Sequence, residues 1–287
     1  MRTLPFDAPF GARVELVNDG PLTSHDKEEL LRLFVRHGLL VFRDAEISSD
    51  RQIELLEVLG RVEPDPAGRP MKMEVTNQHD RSTAPPGELV FHSDYAYDPA
   101  PISAISMYGE VVAKGATPTL FASAATVLQR LPASLMAALR GRLASHACFL
   151  FRNDAPSVRS REPEPILPRG QPGWGPDHYW ARHPVILRNA WGVETLFVCL
   201  QHTDRIHGMS RDESDELLAE IYAAMYAPEQ VYAHPWQSHD LLMWDNLTVQ
   251  HARPAPNDLP RTLRRYHVSP TDLTEDYLRV GRQRGFV

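Results

Sequence analysis

Three side chains, far apart in the sequence, have the types and spacing to share one metal ion. His92-Ser93-Asp94 lies in LVFHSDYAY, a run with strand character. Residues two apart on a strand face the same way, so both side chains could reach one ion. His251 lies near the other end, in LLMWDNLTVQHARP, and Arg261, Arg264 and Arg265 follow it. Two histidines and one carboxylate occupy one face of an ion and leave other positions open for substrate and oxygen. A nearby guanidinium would grip the remote carboxylate of a keto acid bound to that ion. The same residues also fit a core histidine beside a solvated arginine strand, and residue types alone leave the two readings even. Two further readings stand beside them. One is a zinc-dependent hydrolase, since this donor set also holds catalytic zinc with an open position. The other is a non-catalytic small-molecule-binding β-barrel whose histidines are merely buried.

The chain has 13 histidines, and the other His/Asp pairs carry less. His25-Asp26, His79-Asp80 and His239-Asp240 are adjacent, which a strand would point to opposite faces. His202-Thr203-Asp204 has the spacing but runs directly into a helix capped by Ser210 and Glu213. Cys148 and Cys199 sit in apolar runs and read as small buried hydrophobes, with no disulfide framework.

The elements that must position these residues are mainly short strands. ARVELV, LLVFRD, LVFHSDYAY, ISAISMYGEVV, PTLFAS, HPVILRN, TLFVCL, DLLMWDN and TLRRYHVS have the β-branched, aromatic and apolar content of strands. HDKEELLRLFVRHG predicts a helix with Leu30, Leu31, Phe34 and Val35 on one face, stopped by Gly38. Ser49, with Gln52 three residues on, predicts the N-cap of a helix ending at Gly60. Further helices are expected in ATVLQRL, PASLMAALRGR and from Ser210 to Met225. Residues 61–88 read as loop. The stretch 152–184, rich in Pro, Gly and Arg and carrying Trp174, Tyr179 and Trp180, reads as a lid over a pocket or as a loop insertion packed on the surface. No strand runs into a Gly-rich phosphate loop, which disfavours a nucleotide-binding doubly wound sheet. A mainly β chain is expected: a double-sheet sandwich or jelly-roll core with flanking and inserted helices, one domain over 1–287.

Composition agrees. The 287 residues are 43% hydrophobic and 23% charged, which excludes a disordered chain. A formal net charge of -7 gives no field to attract a phosphate backbone, so nucleic acid is excluded as a partner. No apolar run approaches the length of a membrane span, and MRTLPFDAPFGARVEL does not read as a signal peptide, so a cytoplasmic enzyme is expected. The 25 prolines place much of the chain in ordered loops.

At FHSDYAY, GATPTLFAS, the GMSRDES helix start and LLMWDNLTVQHARP…RTLRRYHV, taken in that order, the chain resembles the taurine dioxygenase/TfdA-like family of Fe(II)- and 2-oxoglutarate-dependent dioxygenases. The resemblance covers most of the chain. It implies a double-stranded β-helix, a jelly-roll variant, with the metal at its mouth. By position it implies His92, Asp94 and His251 as ligands of Fe(II). It implies that Thr119 meets the distal carboxylate of 2-oxoglutarate and that Arg261 pairs with it. Arg265 would contact an anionic substrate group or, by an offset in spacing, clamp the cosubstrate instead, while Arg264 points away. Trp244, Asp245 and Asn246 would support the turn presenting His251, and His202 and Asp204 would border the site without ligating.

The implied reaction consumes 2-oxoglutarate and O2, releases succinate and CO2, and oxidises, most simply hydroxylates, an unactivated C–H of a small organic substrate. Asp94, being a carboxylate, disfavours the halogenating variant. Glu88 stands where some sulfonate-oxidising members have Asn, and Thr117-Pro118 replaces the commoner Gly-Asp. Substrate contacts are expected from Asn77, Glu88 and Arg265, with Glu88 favouring an amine and Arg265 an anion, which suits an amino acid or zwitterion. Relatives' habits imply a homodimer or homotetramer.

Overall fold

The structure is a computed structural model that describes residues 1–16, 20–65, 67–84, 87–147, 180–256 and 258–269. Cys148, Trp174, Tyr179 and most of the expected lid lie outside the described residues. Trp180 is seen only as backbone, at the start of a strand paired with Ala147.

Seven strands form the larger sheet: β1 (Arg2–Leu4), β2 (Ala12–Glu15), β3 (Leu39–Phe42), β4 (Met73–Thr76), β6 (Ala104–Val112), β14 (Leu241–Asp245) and β16 (Arg261–Val268). Their spatial order is β1-β2-β3-β14-β6-β16-β4. A second sheet, in the order β13-β7-β15-β5, joins β5 (Leu89–His92), β7 (Thr119–Ser123), β13 (Val231–His234) and β15 (Val249–Arg253). In both sheets late strands insert among early ones, which is how residues near 92 and near 251 come together. Two small sheets complete the β structure, β12-β8-β9 and β10-β11, from β8 (Leu143–Ala147), β9 (Trp180–Pro184), β10 (Ile186–Arg188), β11 (Glu194–Leu196) and β12 (Thr203–Ile206).

Strand alternation explains the layers. Leu39, Val41, Ile105, Met107, Leu242, Trp244 and Leu263 of the larger sheet pack against Phe121 and Val249 of the second. The intervening residues Leu40, Phe42, Tyr108, Leu241, Met243, Tyr266 and Val268 face α1 (Ser24–His37) and α2 (Ser49–Glu57). The far side of the second sheet, at Phe91, Ala122 and Ala252, is covered by α3 (Ala124–Leu128), α4 (Ala133–Leu139) and α5 (Arg211–Met225). Buried on both faces, the strands read as near-continuous apolar runs.

Several local expectations need correction. The buried stripe of α1 is Leu30, Leu33 and Phe34, with Leu31 and Val35 half-buried at its edges. Its capping box is Thr23 with Asp26. Gly38 does end it, at φ 68, a left-handed position suited to glycine. The N-cap of α2 is Ser48, whose hydroxyl accepts from Arg51 N, while Ser49 turns to the Tyr266 hydroxyl. Ser210 and Glu213 cap α5 as expected. The 61–88 segment is not all loop, since β4 runs through it along β16. Among the described residues no helix is long and apolar enough to cross a membrane.

Candidate active site

His92 and His251 are direct cross-strand neighbours, paired in register on β5 and β15 with ring centroids 4.2 Å apart. The strand carrying His251 is paired on its other side with β7, so the imidazole is held within a three-stranded ladder. Asp94 arrives by a different route from the one its spacing suggests. β5 ends at His92, and Asp94 sits in the turn that follows, where Tyr95 takes φ 56. Asn246 fixes that turn. Its amide oxygen accepts from Asp94 N at 2.9 Å, and its amide nitrogen donates to Asp94 O and Ile102 O, both at 2.9 Å.

The result is a compact donor set. One ligand atom from each of His92, Asp94 and His251 lies within 4.8 Å of the others, the only such group among the described residues. His92 Nε2 is 3.4 Å from Asp94 Oδ1, and His251 Nε2 is 3.9 Å from Asp94 Oδ2. His92 Nδ1 lies 2.8 Å from the Val90 carbonyl. A carbonyl only accepts, so Nδ1 carries the proton and Nε2 keeps its lone pair for an ion. Burial, with smaller contributions from Arg265 and Arg253, pushes the His92 pKa down to about 4. His251 is driven well below its ordinary value by burial and then by His92. Both imidazoles are neutral at pH 7, as metal ligands must be. The residues present therefore fit a divalent cation.

Around the donor set is a cavity of about 160 Å³, roofed by both sheets. Its size suits a small organic acid. β16 contributes every second residue to it: Arg261, Leu263, Arg265 and His267. Arg265 lies against the Asp94 carboxylate. Arg264 faces the other way, as expected: its Nε donates to Gln52 at 2.7 Å and its guanidinium lies over the Tyr108 ring.

Arg261 is 2% exposed, and burial and then Arg253 lower its pKa to about 10, so it remains a cation at pH 7. It donates to the Thr117 carbonyl, and its Nε has no partner. No carboxylate pairs with it among the described residues. Thr119 lines the same cavity, and its Oγ accepts from Trp236 Nε1 at 2.8 Å. With that acceptor position taken, the hydroxyl hydrogen of Thr119 is left to donate elsewhere.

The remaining candidates divide. Asn77 is not in the cavity; its Oδ1 accepts from Arg261 N at 3.0 Å and its Nδ2 donates to Leu259 O at 2.8 Å, so it fixes the start of β16. Glu88 is exposed and outside the cavity lining. His202 lines the cavity, edge-on to His92, with Nδ1 near the Ala147 carbonyl. Asp204 points away, into an ion pair with Arg211 at 2.9 Å. Asp245 accepts from Leu247 N and Asn189, closing the turn between β14 and β15. Trp244 packs edge-on against His251. Sequence reasoning missed Trp236, for which no local signal exists. It also missed His267, which shares the strand parity of Arg261 and Arg265.

The family described as taurine catabolism dioxygenase TauD, TfdA family, matches residues 2–267. The pentalenolactone F synthases of Streptomyces arenae and Streptomyces avermitilis are 37% identical over 91 residues and 30% identical over 190. Those matches cover 31% and 63% of this chain and span only 30% and 61% of the synthases' lengths. The (S)-phenoxypropionate/alpha-ketoglutarate-dioxygenase of Delftia acidovorans is 24% identical over 278 residues, covering 92% of this chain and 93% of its own. Among solved structures, AAD-2 in complex with Mn(II) and N-oxalylglycine superposes with a TM-score of 0.73 at 22% identity, covering 94% of this chain and 98% of that one. At that identity it is the fold that is shared. The chain thus belongs to the taurine catabolism dioxygenase TauD, TfdA family.

Proposed function

We propose that this protein oxidises, most simply hydroxylates, an unactivated C–H bond of a small carboxylate-bearing substrate, using Fe(II), 2-oxoglutarate and O2, and that its two packed sheets form a double-stranded β-helix. The observation that carries the reading is Arg261. It has no acidic partner among the described residues, and a buried guanidinium left so is costly unless a ligand supplies the carboxylate. Its place in the cavity of His92, Asp94 and His251 suits the distal carboxylate of a keto acid that chelates the metal. A zinc hydrolase has no need of such a clamp.

Iron and 2-oxoglutarate, when bound, would supply the oxidising chemistry. The chain's own residues hold and orient. His92 and His251 present neutral nitrogens from adjacent strands, and Asn246 holds the turn that presents Asp94. Arg261 and the Thr119 hydroxyl would hold the cosubstrate's far carboxylate and so orient it. Arg265 takes the carboxylate of the substrate. The name of the Delftia acidovorans relative, a phenoxypropionate dioxygenase, supports a carboxylate at that position. The apolar walls at Met73, Val75, Met107 and Leu263 keep water from the reacting carbon.

The test is cosubstrate turnover. With Fe(II) under air the protein is expected to convert 2-oxoglutarate to succinate slowly without substrate, and zinc is expected to suppress it. Succinate formation that is indifferent to iron, or absent while zinc supports hydrolysis, would overturn the assignment.

A further inference from the structure

β16 places four side chains in the cavity at alternate positions, and the last of them, His267, has no role in holding metal or cosubstrate. It is 1% exposed. Its Nδ1 lies 3.2 Å from Glu63 Oε2. Glu63 is itself fixed: its backbone N donates to His267 O at 2.9 Å, its O accepts from Met71 N at 2.8 Å, and Val62 bridges Val268 beside it. A carboxylate only accepts, so the imidazole proton is on Nδ1 and Nε2 presents a lone pair. That Nε2 is buried and has no hydrogen-bond partner among the described residues. Burial and the neighbouring Arg265 hold the pKa of His267 at about 4 against the pull of Glu63, so the ring stays neutral. Tyr95 closes the other side, edge-on at 5.9 Å.

A buried acceptor left without a donor costs free energy, and the missing partner is either a trapped water or a group that arrives with a ligand. The neighbouring position on the same face, Arg265, is the cation assigned above to the substrate carboxylate. Two steps along a strand separate their Cα atoms by about 7 Å. We infer that His267, backed by Glu63, accepts a hydrogen bond from the substrate, which therefore carries a hydroxyl or ammonium group within a few bonds of the carboxylate held by Arg265. The substrate class is a hydroxy or amino acid rather than a plain carboxylic acid. The inference rests on the dioxygenase reading, which makes this cavity the place where substrate meets the metal.

Three small acids of one skeleton test it: propionate, 3-hydroxypropionate and β-alanine. Each is titrated into the protein loaded with Mn(II) and 2-oxoglutarate, and its affinity is read from the relaxation of its methyl or methylene protons by the bound Mn(II). In the wild type, 3-hydroxypropionate or β-alanine is expected to bind about five- to tenfold more tightly than propionate, the worth of one hydrogen bond to a buried acceptor. In His267→Phe that preference disappears while propionate binds as before. Glu63→Ala, truncating a side chain 32% exposed, is the second variant if the first does not fold; freeing the imidazole proton lowers the preference severalfold. Equal affinities for all three acids, a preference for propionate, or no relaxation of either donor-bearing acid would overturn the inference. So would a preference that survives in the variants. The visible absorbance of the Fe(II)–2-oxoglutarate complex separates the two failures: if it forms normally and the preference is missing, only this inference falls.

Discussion

At the residue scale, function turns on which atoms are left without partners. Arg261 is buried with no carboxylate partner among the described residues, and His92 has Nδ1 tied to Val90 while Nε2 faces Asp94 Oδ1 at 3.4 Å. Replacing Arg261 with Met is expected to raise the half-saturating 2-oxoglutarate concentration roughly 10- to 100-fold, the worth of a charge-assisted fork. Succinate formation against cosubstrate concentration measures it, and an unchanged half-saturation would remove Arg261 from the cosubstrate site. Trp236 acts through Thr119, because its indole N–H occupies one acceptor position of that hydroxyl. Trp236→Phe is expected to weaken 2-oxoglutarate about three- to tenfold with Mn(II) affinity unaltered, as measured by calorimetry. Equal losses of metal and cosubstrate would mean that Trp236 only packs the core. That Arg261 lines the cavity agrees with what the family resemblance implied, but Trp236 left no signal. Its contact with Thr119 spans 117 positions and leaves no spacing to read.

At the element scale, strand parity did most of the positioning. TLRRYHV alternates two faces, and that alternation alone separates Arg264 from Arg261 and Arg265. The same parity would have found His267. Parity failed at Asp94: the strand stops at His92, and hydrogen bonds from Asn246, 152 positions away, hold the turn that brings Asp94 back to the two histidines. β4 was hidden in a segment dense with Pro and Gly, and it is a strand only because β16 supplies its ladder. The role of Asn246 makes a direct prediction. Asn246→Ala removes three hydrogen bonds that hold Asp94 and its flanking chain, and is expected to weaken Mn(II) binding about 10- to 100-fold. Titration calorimetry with and without 2-oxoglutarate checks it. Affinity within twofold of wild type would show that the turn holds itself.

At the scale of the whole molecule, burial of imidazoles sets the response to acid. His267 has its pKa lowered to about 4 by burial, His146 is well below its ordinary value for the same reason, and His234 is lowered by burial against the pull of Asp240. Each binds a proton more readily unfolded, near 6.5, than folded. Their contribution to stability is therefore present above about pH 6.5 and lost as pH falls toward 4. Asp245 runs the other way, since burial raises its carboxyl to about 6 and its contribution is lost as pH rises through that value. Together with His92 and His251, lowered in the same way, these imidazoles outweigh one carboxyl. The melting temperature of the metal-free protein is expected to fall between pH 6.5 and 4.5, with a shallower slope in His267→Phe. A flat or rising profile would contradict this. The layered β architecture was legible from the apolar strand runs, whereas the order of strands was not, because late strands insert among early ones and no local pattern records it. The central claim, one iron site shared by His92, Asp94, His251 and a keto acid, is tested most directly by titrating the metal-free protein with Fe(II) and 2-oxoglutarate without oxygen. A weak visible charge-transfer band that needs both components, and is absent in a folded His251→Ala variant, is the expected result. No band in the wild type, with tight zinc binding in its place, would contradict the account.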